Sequence, residues 1–122
     1  MVIGVEPLMA DDTYRSFATG ERQLVHNPQT VADGLRTSVG KLTFPIIQRH
    51  VSQVLVVSEE SIVQAMRMLW ERMKIVVEPS GAVPLAALLE RQMDGLLSAG
   101  DVKLGIIISG GNVDLDALPW NR

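Results

Sequence analysis

The sequence predicts an α/β fold with a parallel sheet flanked by helices. Two observations carry that class: three short runs of branched aliphatics, and the long stretches of chain that separate them. Val2–Val5, Val54–Val57 and Leu104–Ile108 are apolar without alternation, as strands covered on both faces are. The 48 and 46 residues between them are too many for hairpins and enough for helical crossovers, so the three runs are expected to be parallel neighbours. At 122 residues the chain is the size of one domain.

Each connecting element has its own signal. After the first run, a helix can start near Asp11 and stop at Gly20, with the acidic side chains at its positive end. Glu21 to Gly40 is mixed polar with Gly and Pro, which predicts loop with at most a helical turn. Thr43-Phe44-Pro45 places a proline in the first turn of a short helix reaching His50. Ser58 is a hydroxyl N-cap followed by Glu59 and Glu60. Behind it Ile62, Met66, Leu69 and Met73 fall at i, i+4, i+7 and i+11, one apolar face for the sheet, with Arg67, Glu71 and Arg72 largely off it. Leu85-Ala86-Ala87-Leu88-Leu89 predicts a further helix entered through Pro79-Ser80-Gly81. Pro84 is tolerable there only within the first turn. Gly100 should end any helix before the last strand.

Composition removes several function classes. Hydrophobic residues are 47% and charged residues 20% of the chain, as in folded globular domains. The formal charge of −3 is not the basic footprint that a phosphate backbone requires, so no nucleic-acid partner is expected. There is no Cys and there are two His; disulfides, thiolate chemistry and Cys-ligated zinc are excluded. His26 and His50 have no partner at ligand spacing. No apolar run approaches the roughly 18 residues of a membrane helix, and Met1–Glu6 is too short for a signal peptide, so a cytoplasmic protein without membrane association is expected.

Three groups of residues could carry chemistry. Ser109-Gly110-Gly111-Asn112 follows the last apolar run, at the carboxyl end of a parallel sheet where α/β folds bind ligands; an ordinary tight turn explains it equally. Glu6, Asp11 and Asp12 follow the first run and offer oxygens to a hard cation such as Mg2+ or Ca2+, or cap a helix. Glu78 adjoins Ile75-Val76-Val77, where a solvated or capping role is the alternative. Lys41, Lys74 and Lys103 are ordinary surface lysines.

Taken in order, six stretches resemble the C-terminal part of the serine/threonine dehydratase and serine racemase family of pyridoxal-phosphate enzymes. They are Val2-Ile3-Gly4-Val5-Glu6-Pro7, Ala10-Asp11-Asp12, Thr30-Val31-Ala32-Asp33-Gly34-Leu35, Leu42-Thr43-Phe44-Pro45-Ile46-Ile47, Trp70 to Lys74 with Glu78-Pro79-Ser80-Gly81-Ala82, and Ser109 to Leu115. The resemblance spans nearly the whole chain and implies a partial large domain of a fold type II pyridoxal-phosphate enzyme. Residues 1–122 form one α/β segment corresponding to the C-terminal half of that cofactor-binding domain, with the N-terminal catalytic part absent. It implies a lyase or isomerase acting on serine or threonine, in which loss of the α-proton is followed by β-elimination of the hydroxyl to a 2-oxo acid and ammonia, or by reprotonation.

Residue by residue, the resemblance gives Ser109 a hydroxyl bonded to the pyridine nitrogen, Gly34 a backbone position beside pyridoxal phosphate, and Glu78 a place on the active-site wall. Glu6, the Ala10 carbonyl and Asp12 match a divalent-metal site for Mg2+ or Ca2+, and Leu42 stands where some racemases carry a polar residue near the metal. Lys74 and Asn112 match positions that contact an effector nucleotide. The lysine that carries the cofactor, the Asn facing its ring, the small domain and the glycine-rich phosphate cradle precede this segment in the family, and Lys41, Lys74 and Lys103 do not match that lysine. The sequence therefore implies no catalytic residue of its own. Three readings follow: a piece inactive alone, half of a split enzyme completed by an N-terminal partner polypeptide, or a non-catalytic oligomerisation or cation-binding module. Half a domain leaves strand edges and apolar faces uncovered, which predicts a homo-oligomer.

Overall fold

A computed structural model describes residues 1–98 and 100–121. Its sheet, among these residues, consists of β1 (Ile3–Pro7) and β2 (Gln53–Val57), paired in parallel from Ile3↔Gln53 to Pro7↔Val57. The Ser52 N–H extends the ladder by donating to the Val2 carbonyl at 2.8 Å. The first two apolar runs are thus parallel strands, as expected. The third is not a strand. Leu104–Ile108 lies across an apolar cavity of about 560 Å³ from β1, lined from Met1, Val2, Ile3 and Val5 on one side and 102–107 on the other. A strand needs a partner edge about 4.7–4.9 Å away, and among the described residues 104–108 pair with no strand; Ile107 is 81% exposed.

The crossover from β1 to β2 runs through a 3-10 turn (Leu8–Ala10), α1 (Asp12–Thr19) and α2 (Phe44–His50). Gly20 ends α1 in the left-handed region, φ 76°, with its N–H on the Ser16 carbonyl at 2.9 Å, a conformation that glycine reaches without a Cβ penalty. Between the helices the chain is loop, with one turn at Asp33–Leu35. Pro45 occupies the first turn of α2, and Phe44 is the residue this helix buries.

Beyond β2, the Ser58 hydroxyl caps α3 (Glu59–Met68) by accepting the Ser61 N–H at 3.2 Å. A π-turn, Leu69–Met73, continues the helix to Lys74, which closes it at φ 59°. The turn corrects the expected apolar face. Ile62, Met66 and Leu69 are buried, but Met73 is 58% exposed, because the wider π-turn breaks the 3.6-residue phase before position 73.

Next, α4 (Pro79–Leu89) buries Gly81, Ala82, Val83, Ala86 and Ala87. Pro84 lies inside this helix, not in its first turn as expected. Its ring removes a hydrogen bond to the Ser80 carbonyl, at a cost of about 3 kcal/mol in an exposed helix. Here small residues let α4 sit closely on α3 and the sheet, forming one core of Val57, Ile62, Ala65, Met66, Leu69, Val77, Ala82, Val83, Ala86 and Ala87. Burying Ile62 and Met66 alone contributes about 1.5–3 kcal/mol each, which offsets the proline. A one-turn helix, α5 (Asp94–Leu97), ends before Gly100 is reached.

No helix among the described residues is long and apolar enough to cross a membrane.

Candidate functional site

Three separated segments meet at the entrance to α4. The Glu78 N–H donates to the Gly110 carbonyl at 3.3 Å, and the Glu78 carboxylate accepts the Asn112 N–H at 2.9 Å. The Ser80 hydroxyl accepts the Gly34 N–H at 3.1 Å. Glu78 and the Ser109–Asn112 turn, picked out separately along the chain, thus converge with Gly34, named by the family resemblance, on one region.

The glycines are what let them converge. Gly110 has φ 72°, and a β-carbon there would lie 2.5 Å from Glu78 Oε1. One at Gly34 would lie 2.9 Å from Ser80 Oγ, and one at Gly81 would overlap the Ser109 carbonyl oxygen. Each glycine is therefore a place where a hydroxyl, a carboxylate or a carbonyl approaches closely in the space of a side chain. Ser109, Gly110 and Gly34 remain exposed. Among the described residues the Ser109 carbonyl packs on Gly81, while its hydroxyl has no hydrogen-bond partner. A neutral hydroxyl free to donate suits a heterocyclic nitrogen, and bare glycine backbone suits the face of a flat ring.

The Glu78 carboxylate fills the space beside Gly110 that a side chain there would take. Sequence reasoning missed two members of this region: Ser80, read as part of a helix entry, and Gly81, whose closeness to Ser109 has no sequence signal other than being glycine in an otherwise good helix.

The acidic group forms a second region at the end of β1. Glu6 accepts the Tyr14 N–H at 2.8 Å, and Asp12, 1% exposed, accepts the Val39 N–H at 2.7 Å. Burial pushes the Glu6 carboxyl above its ordinary value, and the Asp12 charge adds to that, while hydrogen bonds from Thr13 and Tyr14 pull it partly back. Two carboxylates are thus held within mutual influence, with buried Ala10 between them in sequence. Asp11 stands at the N-cap position of α1 without a capping hydrogen bond from its side chain, which pairs with Arg15 at 2.8 Å. Among the described residues no group of three His, Asp or Glu side chains could hold a metal ion, so a cation here would need the Ala10 carbonyl and water to complete its shell. Leu42 is 87% exposed on the loop before α2.

Lys74 is exposed and donates its Nζ to the Glu71 carbonyl at 2.8 Å, while Asn112 meets Glu78 through its backbone. Lys41 and Lys103 are exposed, as are His26 and His50.

Comparison with known proteins identifies the family. A family model described as pyridoxal-phosphate dependent enzyme matches residues 1–110. The serine racemase of Dictyostelium discoideum is 52% identical over 120 residues, covering 96% of this chain and 36% of the relative. The beta-hydroxyaspartate dehydratase of Paracoccus denitrificans is 45% identical, covering 98% and 37%. Among solved structures, maize serine racemase superposes with a TM-score of 0.86 at 44% identity, over 93% of this chain and 35% of its own. A threonine deaminase from T.th. superposes at 0.79 and 45% identity, over 93% and 40%. The chain spans little more than a third of the length of these relatives.

Proposed function

The chain belongs to the pyridoxal-phosphate dependent enzyme family, and we propose that it supplies the C-terminal half of the cofactor-binding domain of a serine/threonine ammonia-lyase or serine racemase. The observation that carries this is the convergence of Gly34, Glu78 and the Ser109–Asn112 turn, with the Ser109 hydroxyl left free to donate. Bound pyridoxal phosphate supplies the electron sink that makes an amino acid's α-proton acidic.

The residues here tune and hold that group. Ser109 would donate to the pyridine nitrogen of the bound group; a neutral hydroxyl, unlike a carboxylate, would not keep that nitrogen protonated, which would temper the sink in favour of elimination or racemisation. Gly34 and Gly110 present bare backbone, and Glu78 holds the turn through Gly110 and Asn112. None of Lys41, Lys74 and Lys103 takes the part of the cofactor-bearing lysine, so the chain has no turnover by itself. Lys74 and Asn112 are carried forward as positions for an effector nucleotide on the family likeness alone.

Pyridoxal-phosphate titration with borohydride trapping and mass mapping tests this. Absent or scattered labelling is expected. Stoichiometric labelling of one lysine would overturn the assignment, because a complete cofactor site would then exist in this chain. Adding a polypeptide equivalent to the relatives' N-terminal portion should restore 2-oxo acid formation from serine or threonine, and Ser109→Ala should weaken that gain.

The paired carboxylates favour a second, compatible role as a cation site. Mg2+ or Ca2+ would be held by Glu6, the Ala10 carbonyl and Asp12 and would relieve the repulsion between the two acids. The ion should raise the melting temperature of the wild type and not of Glu6→Gln or Asp12→Ala. No shift with either ion would remove this role.

A further inference from the structure

Residues 112–120 form a strap beyond the part of the chain that the family model matches. Its start is held by the Asn112 N–H on Glu78, and its far end by Trp120, whose ring meets Trp70 edge to face at 5.4 Å and 79°. Val113 and Leu118 pack on the core between these two points.

Trp70 is not only a packing surface. It sits in the π-turn after α3, and its indole N–H donates to the Val77 carbonyl at 2.9 Å. Val77 is fully buried and directly precedes Glu78, whose N–H and carboxylate bind Gly110 and Asn112. The contacts therefore close a circuit: Trp120 on Trp70, Trp70 on Val77, Glu78 on the turn, and the turn back through the strap to Trp120.

We propose that Trp70 and Trp120 are positioning residues for the Ser109–Asn112 turn, acting through the Val77 carbonyl and the Glu78 carboxylate. The indole hydrogen bond fixes the position of segment 75–78, and so fixes where the carboxylate sits against Gly110. Trp120 holds the Trp70 ring in the orientation that makes this bond. The strap thus sets the direction of the Ser109 hydroxyl from more than ten residues away along the chain. This deepens the cofactor-wall assignment, but the latch concerns amides that are present without cofactor.

The test is residue-resolved amide chemical shift and hydrogen exchange on the 15N-labelled full chain, wild type against Trp120→Ala, Trp120→Phe and Trp70→Phe. An edge-to-face pair of the usual strength implies that Trp120→Ala accelerates exchange at Asn112 by about 3- to 10-fold over any change at Ala65 in the core. It should also displace the Glu78, Gly110 and Asn112 resonances. Trp120→Phe keeps an aromatic edge and should restore most of the wild-type pattern. Trp70→Phe keeps a ring but loses the indole donor, and should displace the same three resonances. Equal acceleration at Ala65 and Asn112 would show that the tryptophans are core packing only and would overturn the proposal, as would an Asn112 amide unmoved in both Trp120→Ala and Trp70→Phe. Because no cofactor enters these measurements, their failure leaves the cofactor-wall assignment standing. Conversely, a lysine labelled stoichiometrically in the trapping experiment leaves the latch standing.

Discussion

Gly81→Ala separates helix propensity from the close approach that builds the site. In an ordinary helix the change stabilises by about 0.5–1 kcal/mol, since alanine loses less backbone freedom than glycine. Gly81 is buried near the start of α4. A methyl group there would overlap the Ser109 carbonyl oxygen and stand 2.8 Å from Val77 Cγ2. Carbonyl and valine belong to the two segments the site brings together, so one must retreat. Overpacking of this kind costs about 1–3 kcal/mol, and after the helical gain a net loss of about 1–2 kcal/mol is expected. Urea unfolding followed by circular dichroism measures it, and amide shifts at Ser109 and Gly110 report the displacement. Gly95→Ala in α5 is the control: nothing lies within 4 Å of its would-be β-carbon, so it should be neutral or gain up to about 1 kcal/mol. A Gly81→Ala protein as stable as wild type, with the Ser109 amide unmoved, would refute the close-approach account.

Other consequences are as direct. Burial and then the Asp12 charge raise the native Glu6 carboxyl above 4.5, so the native state binds this proton more tightly than the unfolded chain. The stability that its protonation contributes is present below pH 4.5 and lost as pH rises through the raised native value. Glu6→Gln should therefore melt above wild type near neutral pH and level with it in acid. Glu90 has the opposite sign: burial is the largest single influence and opposes ionisation, yet hydrogen bonds from Ser58, Ser61 and Gln92 together outweigh it and lower the carboxyl below 4.5. That stability is present above pH 4.5 and lost as pH falls through the lowered native value. Its Oε1 takes the Ser58 N–H at 2.8 Å and the Ser58 hydroxyl at 2.7 Å, tying the start of α3 to the end of α4, and Glu90→Ala should cost about 1–2 kcal/mol in urea unfolding. Met1, Val2, Leu104 and Ile107 leave apolar surface exposed around the cavity beside β1. Light scattering on the eluting protein should show a dimer or larger assembly, and a well-behaved monomer at high concentration would contradict that.

Local signals in the sequence were read correctly where the cause is local. The Ser58 cap, the Gly20 stop and the Pro45 start each depend on a few neighbouring residues, and α3, α1 and α2 begin or end there. Leu104–Ile108 failed for a reason of another kind. An apolar run records that a segment avoids water, not that a hydrogen-bonding edge lies beside it, and its nearest strand stands across a cavity. Met73 failed because periodicity assumes a constant pitch, which the π-turn interrupts. Pro84 failed because propensity ignores what α4 gains by packing small residues on α3.

The site shows the same boundary more sharply. Ser109-Gly110-Gly111-Asn112 was visible as a turn able to meet a ligand, and Glu78 as an acidic residue beside apolar chain. That the second holds the first could not be read, since Asn112 lies 34 positions beyond Glu78 along the chain. Only likeness to a family put Gly34, Glu78 and Ser109 in one place beforehand, and it did so by naming each as a neighbour of the cofactor. The structure adds a dependence among the residues themselves. A β-carbon at Gly110 would meet the Glu78 carboxylate at a backbone angle, φ 72°, that itself favours glycine, and one at Gly81 would overlap the Ser109 carbonyl oxygen. A turn supported this way cannot vary independently of the residues packed against it, so exchanging Glu78 and Gly110 together should be less damaging than the sum of the separate changes. A double-mutant cycle on urea stability with Glu78→Ala and Gly110→Ala measures this directly. Removing the carboxylate first opens the space that an alanine methyl at 110 would need, leaving only the cost of φ 72°. Strict additivity of the two would show that the carboxylate yields freely and that Gly110 is required by its backbone angle alone.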